Sequence, residues 1–103
     1  MKISALIKRP GELPRHVNIS NNLKALQKNV GGYIETVTIA KDLVVICNEE
    51  GRLLGLPENC EICNVSFCGE IIICGVKGDE FADLPCEWAT LKKLFPKLWE
   101  VAK

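Results

Sequence analysis

The chain has 103 residues, 48% apolar and 25% charged, which excludes a disordered polypeptide and fits one globular domain over residues 1–103. Thirteen basic and thirteen acidic side chains cancel, so the basic surplus that marks a nucleic-acid binder is missing and nucleic acid is not an expected partner. No run approaches the ~18 consecutive apolar residues of a bilayer span, and Lys8 and Arg9 cut short any signal-peptide core, so a cytoplasmic protein is expected.

Taken in order, Met1–Ile7 alternates through Ile3, Ala5 and Ile7 and predicts a strand. Lys8 to Gly11 punctuates it with Pro-Gly, and Arg15–Ile19 predicts the second half of a hairpin. Ser20 or Asn21 is the expected cap of a helix whose apolar face is Leu23, Leu26 and Val30. Gly31 can adopt the left-handed conformation that closes helices. Tyr33–Ala40 is rich in strand formers, with Tyr33, Glu35, Val37 and Ile39 on one face. The continuous apolar run Leu43–Cys47 predicts a central strand covered on both sides. Asn48 to Gly51 predicts a hairpin turn, with Arg52–Leu56 returning as a strand beside it until Pro57.

Glu58–Ser66 (ENCEICNVS) shows no regular pattern, and Phe67–Val76 predicts one further buried strand. Gly78-Asp79 turns the chain, and Phe81 and Leu84 return to the core. Pro85 suits the first turn of a helix. Leu84, Trp88, Leu91, Phe95, Leu98 and Ala102 then form an apolar stripe at helical spacing, which Pro96 breaks or kinks. The elements together predict an α+β fold: a mostly antiparallel mixed sheet, one helix packed on it, and a C-terminal helical tail.

Six cysteines are many for this length. Most sit beside Ile, Val or Phe, where reduced thiols behave as small apolar side chains. Cys60 and Cys63 have the spacing of half a zinc site, because two thiolates from one tight loop can reach one tetrahedral metal. Cys68, Cys74 and Cys86 are the candidates for the remaining ligands, and none forms a second such pair. The single histidine, His16, lies in a predicted strand without companions, so no nucleophile triad is supported. Glu49 and Glu50 belong to a turn, where adjacent carboxylates point apart and stay solvated. Trp88 and Trp99 are candidate interface anchors, and the stripe that carries them can dock onto this domain or onto another copy in a homo-oligomer.

The run LKALQKNVGGYIE and the later ICNEEGRLLGLPEN, together spanning Leu23 to Asn59, resemble the small domain of unknown function 3846 of Firmicutes, their phages and mobile elements. The resemblance implies no established activity and suggests an accessory protein borne by a phage or mobile element. The expected function is therefore a non-enzymatic binding protein that acts against a host defence, by occupying a host protein or sequestering a nucleotide signal. A zinc-stapled structural module is the alternative, and nothing in the sequence favours an enzyme.

Overall fold

The computed structural model describes residues 1–100. The first hairpin forms where alternation predicts it: β1 (Lys2–Lys8) pairs antiparallel with β2 (Arg15–Ser20), Leu6 opposite His16. Helix α1 (Leu23–Val30) follows, and its cap is Asn22, whose side-chain oxygen accepts the Ala25 N–H at 2.9 Å. The expected caps are already engaged. Ser20 is the last residue of β2, and the Asn21 side chain donates to the Phe81 carbonyl. Gly31 closes the helix at φ 79°, as expected.

Next come β3 (Ile34–Ala40), β4 (Leu43–Asn48), β5 (Glu58–Ile62), β6 (Val65–Cys68), β7 (Ile71–Lys77) and β8 (Glu80–Ala82). The main sheet runs β2-β1-β7-β4-β3, with β8 on β7, and every pairing in it is antiparallel. The central position expected for the apolar run Leu43–Cys47 is the one β4 takes, and all its residues are buried.

Three stretches depart from the sequence reading. Arg52–Leu56 does not return as a strand, because β4 already has β3 on one edge and β7 on the other. It winds through consecutive turns instead, Leu54 N–H on the Glu50 carbonyl and Leu56 N–H on the Gly51 carbonyl, with Gly55 at φ 68°. Glu58–Ser66 is not irregular: it makes most of the β5–β6 hairpin, which turns through Cys63 and Asn64 at φ 51° and 66°. Positive φ at both turn residues matches the twist of paired strands. The run Phe67–Val76 is two strands, separated where Gly69 takes φ 83°.

Both faces of the main sheet are covered. On one, α1 lays Leu26 and Val30 over Ile3, Ala5, Ile7, Ile46 and Ile72. On the other, the β5–β6 hairpin and the C-terminal helices bring Ile62, Phe67, Leu91 and Leu98 over Leu6, Val45, Ile71 and Ile73. Each such side chain, taken fully out of water, contributes roughly 1.5–3 kcal/mol. Helix α2 (Trp88–Leu94) begins only after Glu87, not at Pro85. Upstream, Leu84 N–H is bonded to the Ser4 carbonyl, and Pro85 and Cys86 form bends before the helix. The helix stops at Phe95, and a 3-10 turn (Pro96–Trp99) follows, since Pro96 has no N–H to continue the ladder. Ala102 of the predicted stripe lies outside the described residues. No helix among the described residues is long and apolar enough to cross a membrane.

Candidate functional site

The fold separates the cysteines. Cys60 lies in β5 opposite Phe67 and packs on the core under the hairpin. Burial pushes its thiol up, and the nearby Lys8 charge only partly opposes this. Cys63 sits exposed in the hairpin turn, its Sγ 3.6 Å from the Ile39 carbonyl. Cys74 belongs to the core on the α1 side, so the sheet stands between it and Cys60. Cys86 packs on the same core as Cys60, and Cys68 lies at the end of β6. Among the described residues no three His, Cys, Asp or Glu side chains gather as a metal centre requires.

The two tryptophans meet each other. Their ring centroids are 5.3 Å apart at 81°, an edge-to-face contact across the break between α2 and the 3-10 turn. Trp99 is half-buried against the core, and Trp88 keeps 38% of its surface in water.

His16 has a neighbour that sequence spacing did not reveal. Its Nε2 is hydrogen-bonded to Ser4 Oγ across the β1–β2 pair, and Ser4 N–H donates to Asp83 Oδ1 at 2.7 Å. The carboxylate thus holds the Ser4 backbone and not the imidazole. Ser4 also lies in mid-strand, where neighbouring N–H groups belong to the ladder and cannot form an oxyanion site.

A second polar cluster was equally invisible in the sequence. Lys8 is 1% exposed, and its Nζ donates to the Glu12 carbonyl at 3.0 Å and the Arg9 carbonyl at 3.4 Å. Asn59 Nδ2 donates to the Lys8 and Gly69 carbonyls, which ties the β5–β6 hairpin to the main sheet. These contacts close a turn and pin a hairpin.

A groove of about 240 Å³ lies between strands β3 and β4 and the β5–β6 hairpin. Glu35, Val37 and Cys47 form one wall, Val65, Phe67 and Cys68 the other, and Glu49, Arg52 and Leu53 the rim. Glu35 and Glu49 are exposed carboxylates, while Cys47 is buried and donates weakly to the Glu35 carbonyl. Burial first, and then the Glu35 charge, push the Cys47 thiol up to about 11, so it is a neutral wall residue and not a nucleophile. Leu53 is 86% exposed and Leu54 58%, on the turn segment that replaces the expected strand. Tyr33, just before β3, and Val65 are exposed as well.

The family model of a domain of unknown function, DUF3846, matches residues 1–96. The chain belongs to this family. The match takes in strands β1 to β8, α2 and the whole groove, well beyond the stretch Leu23–Asn59 that carried the resemblance. No curated protein and no solved structure matches the chain.

Proposed function

We propose that this protein is a non-enzymatic binding protein, and that it holds another protein against the rim of the β3–β4/β5–β6 groove. The observation that carries this reading is the exposure of Leu53, which lines the groove, and of its neighbour Leu54 on the same turn. Exposed leucines gain by burial against a partner, roughly 1.5–3 kcal/mol each when fully covered. The groove's charge favours a protein over a nucleotide signal. Glu35 and Glu49 face a single cation, Arg52, and such a lining repels phosphate. In the phage or mobile-element setting that the family resemblance suggests, the partner would be a host defence protein.

The test is affinity capture from host lysate with the wild-type chain and with the Leu53→Asp/Leu54→Asp variant. Both positions are exposed, so the variant is expected to keep the wild-type circular dichroism spectrum and melting curve. The wild type should retain one host protein at stoichiometric yield, and the variant should bind that protein at least about tenfold more weakly. Equal capture by both chains, or turnover of a substrate by the purified protein, rejects the reading.

A further inference from the structure

Strand β3 ends the main sheet, and one of its edges carries no partner among the described residues. Which groups that edge offers follows from the ladder. Glu49 N–H donates to the Tyr33 carbonyl at 2.9 Å, so that residue pair is a hydrogen-bonded one. In antiparallel pairing, bonded and non-bonded pairs alternate. The pairs Glu35–Cys47 and Val37–Val45 are therefore bonded, and Ile34, Thr36 and Thr38 turn their N–H and C=O groups away from β4. The β-bulge of β3 lies beyond Thr38, and the stretch Ile34–Thr38 has neither proline nor lysine. These are the features that ordinarily blunt an edge.

The side chains beside this edge are sorted by face. Ile34 packs on the α1 side, while Glu35 and Val37 face the groove. A strand laid along the edge would put the side chains of one of its faces beside Glu35 and Val37, which line the groove. A second copy of this chain is a poor occupant on charge grounds. Pairing β3 antiparallel with its own symmetry mate about Thr36 brings the Glu35 side chains of both copies to diagonal positions on one face, and like charges juxtaposed at an interface cost affinity. A segment with positive side chains meets the Glu35 carboxylate favourably.

We propose that the free edge of β3 over Ile34–Thr38 receives an extended segment of another protein as an added strand, and that this segment alternates apolar and basic side chains. The proposal rests on the binding reading above and supplies the chemistry of the partner. Main-chain hydrogen bonds to Ile34, Thr36 and Thr38 provide the grip, and the groove selects the side chains on one face of the incoming strand.

The probe is a capped synthetic peptide of about eight residues alternating lysine and valine, a length that spans the β3 edge. Its counterpart alternates glutamate and valine. Binding is followed residue by residue from the amide resonances and hydrogen exchange of the full chain. The lysine peptide should slow exchange at the Ile34, Thr36 and Thr38 amides, weaken with added salt, and bind the Glu35→Lys variant about tenfold less tightly. The glutamate peptide should leave these amides unchanged. The proposal is overturned if the lysine peptide perturbs other surfaces but not these amides, or if the two peptides bind equally. It is also overturned if sedimentation shows a dimer in which the three amides are already protected. Silent β3 amides alongside a host protein whose capture depends on Leu53 and Leu54 would remove the added strand and leave the binding function in place.

Discussion

Cys74 is fully buried in β7, and burial pushes its thiol up to about 12; Cys47, less enclosed, is pushed up to about 11 by burial and then by Glu35. The native state therefore holds both protons more firmly than the unfolded chain, whose thiols titrate near ~8.5. The sign follows from linkage: this contribution is complete below the unfolded value and disappears as pH rises through the native ones. The urea midpoint should accordingly fall as the pH is raised from about 9 to about 11. Cys74→Ala should lower stability at neutral pH by about 1 kcal/mol and flatten the alkaline fall, because the variant no longer has that proton to lose. An unchanged alkaline slope in Cys74→Ala would show that other groups cause the fall. That these thiols are core residues was legible in their apolar neighbours. Which face of the sheet each occupies was not, because it depends on the register with strands distant in the chain.

At the scale of elements, the hairpin of β7 and β8 turns on Gly75. A Cβ at this position would overlap the Asp83 carbonyl oxygen, where the chain leaves β8 and crosses to hydrogen-bond with β1. The glycine is needed for close backbone approach, since its own φ is not in the left-handed region. Gly75→Ala should cost about 3 kcal/mol in urea unfolding. Gly11→Ala is the control: it sits at φ 76° with open space around it, and should cost only about 1 kcal/mol of backbone strain. Equal losses in the two variants would mean that the contact with Asp83 yields easily. The sequence placed Gly75 near a strand end without its reason. It likewise marked α1 and β4 correctly, because helical spacing and a continuous apolar run are local signals. It missed the β5–β6 hairpin, because Cys63 is not a residue that announces positive φ, and it drew a strand at Arg52–Leu56 without knowing that both edges of β4 were taken.

For the whole molecule, the main sheet is the wall shared by two cores, with Leu26 of α1 on one side and Leu98 of the 3-10 turn on the other. Leu26 is 1% exposed and Leu98 0%. Leu26→Ala and Leu98→Ala should each cost about 2–5 kcal/mol through the cavity left behind. Because the strands between them are common to both cores, each variant should move one unfolding transition with an unchanged denaturant slope. A second transition in Leu98→Ala would show that the C-terminal helices detach on their own. By itself, the sequence determined the α+β class, the first hairpin, the central strand, the helix with its glycine stop and the break at Pro96, all set by periodicity and backbone preference within a few residues. Only the tertiary structure decided that β3 is an open edge among the described residues, and that Glu35, Glu49, Leu53 and Val65 line one groove. A sheet's edges and the clefts between its layers come from strand order and register, and these are fixed by packing between residues far apart in the chain.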